Sequence, residues 1–307
     1  MAFGWQGVEA DTPAGWELGA YEGDFRAGHA CLDDGTQLRF RVRWHDGAGR
    51  PTPLQTVLNR YRRSVLKSSK DAEFCVLDPE ALPVRFRKDK TMLPFSWEAG
   101  VTGQGVVWRC AVCRRIVVAE VMSPPGEEGQ KAARRILASV RCHRDDDERL
   151  WAVYGFAFRT PDSYNLNESA LHSGRLLFSF QGPRQSWLVV ERWGLASQLL
   201  AKASLDAWPR ELLKLRPTWR VDDLDTAETA VPAAGGGPYR ACRFSARVRR
   251  RRGGVFGSFS RPAPVAGLVW HHADEDKIVA VMAATGDEDS TEHTDLVTRV
   301  AGTAECR

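Results

Sequence analysis

One short stretch of this chain occurs twice. Gly105-Val106-Val107-Trp108, with Ile116 a little further on, returns 162 residues later as Gly267-Leu268-Val269-Trp270 with Ile278. Three matched positions at one spacing are improbable by chance, and an internal repeat restricts a chain to folds that two similar units can build. The repeat therefore predicts two tandem units of one kind.

Similar elements surround both copies of this motif. Each copy has an extended run that ends in tryptophan and is followed by a helix pattern; the two runs are Leu38 to Trp44 and Trp187 to Trp193. A basic strand comes next, and we match Arg85-Phe86 in the first copy to Arg243-Phe244 in the second. After the motif, each copy closes with a second helix, at 130–141 and 291–304, followed by Cys142 and Cys306.

The order of these elements predicts a fold class. Each unit is expected to run β-β-α-β-β-β-α, and short turns between consecutive strands favour antiparallel pairing. We therefore expect an α+β fold made of two tandem copies of an antiparallel sheet covered by helices. The charged run 144–149 suits a connector because such residues are difficult to bury, so the expected units are 16–143 and 151–307.

This order of elements resembles the α-β-α sandwich of the PsbP family, in which an antiparallel sheet lies between helices. The resemblance rests on the strand and helix order and on the tryptophan-ended strands. It covers most of the chain, with the sandwich occurring twice. It implies a fold only, because no binding residue of the family has a matching motif in this sequence.

Composition indicates a soluble globular protein. Apolar residues make up 43% and charged residues 27% of the chain, as in ordinary globular proteins. The longest apolar runs are far shorter than the roughly 20 residues that a membrane-spanning helix needs, and the N-terminus lacks the pattern of a secretory signal. We expect a cytoplasmic protein whose seven cysteines are free thiols rather than a disulfide framework.

The sharpest chemical pattern is a pair of cysteines beside the first repeated tryptophan. Cys110 and Cys113 form a C-x-x-C, and Cys142 and His143 follow after 28 further residues. Two thiolates on one turn, joined by Cys142 or His143 across the fold, would give zinc a tetrahedral ligand set. Thiol–disulfide chemistry and ordinary half-buried thiols are the alternatives, because zinc ribbons usually pair two such C-x-x-C knuckles.

In the second unit, histidines and carboxylates gather where the matching hairpin turns. His272 and Glu275 replace the two cysteines, within the run 271–276 (HHADED), and His293 follows an acidic run. Imidazoles beside carboxylates could bind a divalent metal or form an acid–base pair. Solvated turn charges and a favourable helix start explain the same residues without any site.

An arginine-rich hairpin is the candidate for nucleic-acid contact. Basic and apolar residues alternate from Arg243 to Arg249, and the strand runs into a glycine turn. Arginines at a hairpin tip can bind phosphates, or can keep an exposed strand edge soluble. The candidate binding residues are Arg247, Arg249, Arg250, Arg251 and Arg252.

The common enzyme motifs are absent: the sequence contains no P-loop, nucleophile elbow or HExxH. We expect a non-catalytic binding or assembly protein that binds a protein partner through a composite surface of the two units. The first alternative is a nucleic-acid-associated subunit that uses the arginine hairpin. The second is a zinc-containing protein, including a metal-centred enzyme, that uses Cys110, Cys113 and Cys142 or His143.

Overall fold

Two units, Met1–Tyr154 and Gly155–Arg307, make up the chain in this computed structural model. The ranges 16–143 and 151–307 expected from the repeat stay predictions. The structure describes residues 1–47, 52–78, 80, 92–143, 146–216, 218–232, 238–250, 262–284 and 291–307. Within these ranges, no helix is long and apolar enough to cross a membrane.

The first unit is built around one large antiparallel sheet. Its strands are β1 (Ala2–Trp5), β2 (Val8–Asp11), β3 (Glu17–Gly23), β4 (Ala27–Asp33), β5 (Leu38–His45), β6 (Glu73–Val76), β7 (Met92–Glu98), β8 (Thr102–Arg109), β9 (Ile116–Ser123) and β10 (Glu148–Val153). Its helices are α1 (Leu54–Ser68) and α2 (Glu127–Ser139). Seven strands form the sheet in the order β3-β4-β5-β9-β8-β7-β6, and β1 pairs with both β2 and β10.

The second unit has a sheet of the same design. Its strands are β11 (Phe156–Pro161), β12 (Asn165–His172), β13 (Arg175–Gln181), β14 (Trp187–Gly194), β15 (Trp219–Val231), β16 (Tyr239–Arg250), β17 (Ala263–His272), β18 (Lys277–Ala284) and β19 (Glu305–Cys306). Its helices are α3 (Ala196–Leu200), α4 (Trp208–Lys214) and α5 (Glu292–Ala301). The sheet order β12-β13-β14-β18-β17-β16-β15 matches that of the first unit strand by strand.

Strands dominate both units, so the expected α+β class with helix-covered sheets is wrong. The sequence pattern failed to reveal the edge strands β3, β12 and β15, whose residues are mostly exposed or half-buried. An edge strand of this kind needs no apolar alternation, and periodicity therefore gives no signal. The helix expected after Trp193 is also smaller than its pattern indicated, because it is divided into the short α3 and α4.

Close packing against aromatic rings explains the repeated glycines. A Cβ atom on Gly105 would lie 2.3 Å from the ring of Phe95, its cross-strand neighbour, and one on Gly267 would lie 2.2 Å from the ring of Phe244. Phe95 therefore holds in the first unit the place that Phe244 holds in the second. The residues matched to Arg243-Phe244 from sequence, 85 and 86, lie outside the described residues.

Helix α1 packs on one face of the first sheet, as its spacing predicts. Its buried residues Val57, Leu58, Tyr61 and Val65 join a core cluster with Val107 of β8 and with Ile116 and Val118 of β9. Both strands of the central β8–β9 hairpin are buried over nearly their full length. The turn that joins them is thus held by a rigid scaffold.

Candidate metal centre

The turn between β8 and β9 carries the C-x-x-C pair. The Cys110 amide donates to the Arg115 carbonyl at 2.9 Å and closes the turn. Arg114 reverses the chain in the left-handed region, with φ of 60°. The Cys113 amide donates to Cys110 Sγ at 3.4 Å. The turn therefore directs an N–H group toward the first sulfur, which favours the thiolate form of that sulfur.

Cys142 and His143 approach this turn from the segment that follows α2. Cys113 Sγ lies 3.6 Å from Cys142 Sγ, and Nδ1 of His143 lies 3.2 Å from Cys110 Sγ and 3.7 Å from Cys142 Sγ. The four potential ligand atoms all lie within 4.8 Å of one another. The sequence left open whether Cys142 or His143 joins the pair, and the structure brings both to it.

Main-chain hydrogen bonds fix the position of the second ligand pair. Arg141, directly before Cys142, exchanges two 2.9 Å hydrogen bonds with Glu9 of β2. This bridge aligns the end of the α2 segment with the first hairpin of the chain. Cys110 and Cys142 are buried, whereas Cys113 and His143 are half-buried, so the cluster lies just beneath the surface.

The three thiols of the cluster differ in pKa. Hydrogen bonds from the Cys113 and Cys142 thiols hold the pKa of Cys110 well below the usual range. Donation to Cys110 raises the pKa of Cys113 and of Cys142. The protein alone thus favours one thiolate, and a divalent cation would let all three sulfurs ionise.

Sequence reasoning missed Arg115, which directly follows the turn and is 2% exposed. Its Nη1 donates to the Gln6 carbonyl at 2.9 Å. Burial lowers the pKa of Arg115, whereas negative charge on the cysteine sulfurs and on Asp46 acts in the opposite direction. Adjacency to the C-x-x-C is the one signal in the sequence, since a charged residue at a hairpin turn is usually exposed.

Within the described ranges, the matching hairpin of the second unit shows no convergent ligand set. His272 Nε2 lies 2.8 Å from the Tyr239 hydroxyl, and the Asp276 carboxylate accepts a 2.7 Å hydrogen bond from the Ser197 amide at the start of α3. Among the described residues, the Cys110 cluster is the one group of three or more Cys, His, Asp or Glu that converges. The acidic run before His293, 287–289, lies outside those residues.

The arginine-rich strand β16 pairs with β15, which carries acidic residues. Arg249 of β16 donates to Asp222 of β15 at 2.6 Å, and Arg247 is paired in register with Asp223. Arg250 ends β16, and Arg251 and Arg252 lie outside the described residues. The exposed basic face of β16 is therefore partly neutralised by β15, which lowers the local attraction for phosphates.

Comparisons with known proteins leave the chain without a family. No family model matches it, and no curated protein does. Among solved structures it is similar to the Saccharomyces cerevisiae Ran-binding protein Mog1p, at 10% identity over 50% of this chain and 86% of that chain, with a TM-score of 0.28. A likeness this weak carries no argument about fold or function. None of these findings is specific to the PsbP family, and that resemblance stays an expectation.

Proposed function

We propose that this chain is a non-catalytic binding protein that holds a structural zinc ion in its first unit. The observation that carries the proposal is the convergence of Cys110, Cys113, Cys142 and His143. Three thiolates and one imidazole are a ligand set typical of structural zinc. His143 would bind through Nδ1, the ring nitrogen nearest the sulfurs.

The distances within the cluster support a tetrahedral ion. Zn–S bonds of about 2.3 Å place two sulfurs about 3.8 Å apart around a tetrahedral centre, and a sulfur and a nitrogen about 3.6 Å apart. The Cys113–Cys142 sulfur separation is 3.6 Å, and the two sulfur–nitrogen separations are 3.2 and 3.7 Å. These three separations are close to the tetrahedral values, and the remaining pairs of ligand atoms lie within 4.8 Å of one another.

A closed ligand set supports a structural role over a catalytic one. Catalytic zinc keeps one position open for water or substrate, whereas four protein ligands fill the tetrahedron. An ion here would cross-link the β8–β9 turn to the segment after α2. Metal binding of this kind stabilises the folded state, because the ligand set does not exist in the unfolded chain.

Binding of a protein partner, as expected from the sequence, remains part of the proposed function. A metal centre without an open position supports structure rather than chemistry, in line with a protein that acts by binding. The nucleic-acid alternative is less favoured, because Asp222 accepts a hydrogen bond from Arg249 and Asp223 is paired in register with Arg247.

Metal analysis tests the proposal. The wild-type chain, purified without chelator under reducing conditions, is expected to contain about one zinc ion per chain. Cys142→Ser should lose most of it, since a thiolate ligand is removed. Cys306→Ser is the matched control, because Cys306 follows the last helix of the second unit as Cys142 follows α2, and it should keep the zinc. A wild-type chain that holds no zinc and takes up none when reduced would refute the proposal.

A further inference from the structure

A groove of about 390 Å³ lies in the second unit, where helix α4 and the start of strand β15 meet. Its volume falls within the roughly 300 to 1,000 Å³ of pockets that bind ligands, so the groove can accept side chains of another molecule. Both elements contribute to its lining: Arg210, Leu213 and Lys214 come from α4, and Trp219, Val221 and Leu224 come from β15.

Apolar side chains make up one part of this lining. Leu213 is 2% exposed, and Trp219 and Leu224 are half-buried and pack against the core of the unit. The Trp219 ring lies 4.8 Å from the ring of Trp187, which fixes its position. Val221 is 37% exposed. Removal of this apolar surface from water would stabilise a complex formed in the groove.

Cations make up the other part of the lining. Arg210 is exposed and forms no ion pair with any described residue. Lys214 lies 2.8 Å from Glu211, but both side chains are exposed. Such a pair contributes little to stability, so Lys214 can exchange Glu211 for the carboxylate of a ligand. The acidic residues Asp223 and Asp225 of β15 do not line the groove.

The carboxylates of Asp222 and Glu191 do not cancel this positive charge. Asp222 lines the groove and lies 2.6 Å from Arg249 Nε and 3.6 Å from Arg220 Nε. Glu191 pairs with Arg216 of the groove and with a second arginine. Because each of these carboxylates meets two arginines, the surroundings of the groove attract anions.

We propose that this groove binds a short segment of a partner protein in which a carboxylate lies beside an apolar side chain. The proposal rests on the protein-binding part of the proposed function and is independent of zinc. The apolar side chain packs against Leu213, Trp219 and Val221, and the carboxylate pairs with Arg210 or Lys214. Tryptophan and arginine are enriched among the residues that contribute most to protein–protein binding.

Other occupants fit this groove less well. A small-molecule site usually encloses most of its ligand, whereas the exposed Lys214 and Val221 leave the groove open to solvent. A single-stranded nucleic acid stacks its bases on several aromatic rings. Among the lining residues that the structure describes, Trp219 is the one aromatic residue.

Selection from a displayed library of random peptides tests the proposal on the full chain, because it assumes no ligand sequence. The wild type is expected to retain peptides with a carboxylate next to a large apolar residue. The most enriched peptide, labelled with a fluorophore, should bind roughly 10-fold more weakly to Arg210→Glu and to Val221→Asp, since each places a repelling charge in the groove. Both residues are exposed, so the variants should fold. Arg299→Glu is the matched control, because Arg299 is an exposed arginine in the last turn of α5, and it should bind like the wild type.

The possible outcomes separate this proposal from the rest of the proposed function. Enriched peptides whose affinity is unchanged in either groove variant would overturn the groove and leave protein binding elsewhere on the chain. Enrichment of peptides without a carboxylate, or of none, would also overturn it. An oligonucleotide that binds the wild type but not Arg210→Glu, with no peptide selected, would show that the occupant is a nucleic acid. Zinc content, measured on the same samples, tests the metal centre separately.

Discussion

The sulfur atoms of Cys113 and Cys142 lie 3.6 Å apart although 28 residues separate them in the chain. The hairpin turn between β8 and β9 holds the first, and the Glu9–Arg141 bridge positions the second. Neither cysteine is in a disulfide, nor are the other five. Thiols brought together in this way, with a histidine beside them, are the basis of the proposed zinc centre.

Zinc should protect three thiols from alkylation. With the metal bound, Cys110, Cys113 and Cys142 are expected to react with a maleimide far more slowly than the exposed Cys75, because coordination occupies the sulfur lone pair. Removal of zinc by a chelator should raise the labelling of all three cysteines, because their sulfurs are then free to react. Mass spectrometry of the labelled peptides measures this. Equal labelling rates with and without the chelator would contradict zinc binding by these cysteines.

Cys306 should make the protein sensitive to alkaline pH. Burial raises the pKa of the Cys306 thiol from 9.0 to about 12. Its contribution to stability is therefore complete below about pH 9, and is lost between about pH 9 and 12, where the unfolded thiol ionises and the folded one does not. Urea unfolding of the wild type and Cys306→Ala should show the wild type losing more stability over that range. Parallel pH profiles for the two chains would contradict this assignment.

The ion-pair network around Glu191 should stabilise the second unit. Glu191 is 0% exposed and accepts from Arg175 Nε at 2.9 Å and from Arg216. Removal of one partner from a buried pair leaves charges uncompensated, so Glu191→Gln should cost roughly 3 to 5 kcal/mol of unfolding free energy. The exposed Glu228–Arg240 pair is the control: Glu228→Gln should cost less than about 1 kcal/mol. Denaturant titration that finds equal losses would show that the burial of Glu191 is unimportant.

Nucleic-acid binding should be absent or insensitive to the β16 arginines. Asp222 is ion-paired with Arg249, and Asp223 lies opposite Arg247 in the strand register. The double variant Arg247→Ala and Arg249→Ala should therefore bind a short oligonucleotide no more weakly than the wild type at about 50 mM salt. Fluorescence anisotropy checks this. A steep salt dependence in the wild type that disappears in the variant would instead favour the nucleic-acid role.

The central strands of each unit could be predicted from the sequence because they are buried. Gly105 and Gly267 recur since an aromatic ring crosses each of them, and the tryptophan-ended runs correspond to β5 and β14. Helix α1 follows its apolar spacing, which confirms that prediction. Buried positions in a regular strand or helix require apolar residues at a fixed spacing, and that spacing is visible in a single sequence. An origin of both units by duplication stays our interpretation of these matches.

The exposed edges could not be predicted, and the overall fold class was wrong for that reason. Twelve of the thirteen residues of β15 are exposed or half-buried. Its sequence therefore lacks the apolar alternation that marks a strand. The candidate metal site was only partly predictable. The spacing of Cys110 and Cys113 indicated a shared turn, but the choice between Cys142 and His143 depended on how the chain leaves α2. The burial of Arg115 depends on the contacts with Gln6 and Phe25, which are distant in sequence.

X-ray absorption at the zinc edge tests the central claim most directly. Zinc-loaded wild-type protein is expected to show a first shell of three sulfurs at about 2.3 Å and one nitrogen at about 2.0 to 2.1 Å. Cys142→Ser should lose one sulfur from that shell, and Cys306→Ser should leave it unchanged. A wild-type shell made mainly of oxygen and nitrogen, or one with fewer than three sulfurs, would contradict a zinc centre formed by Cys110, Cys113, Cys142 and His143.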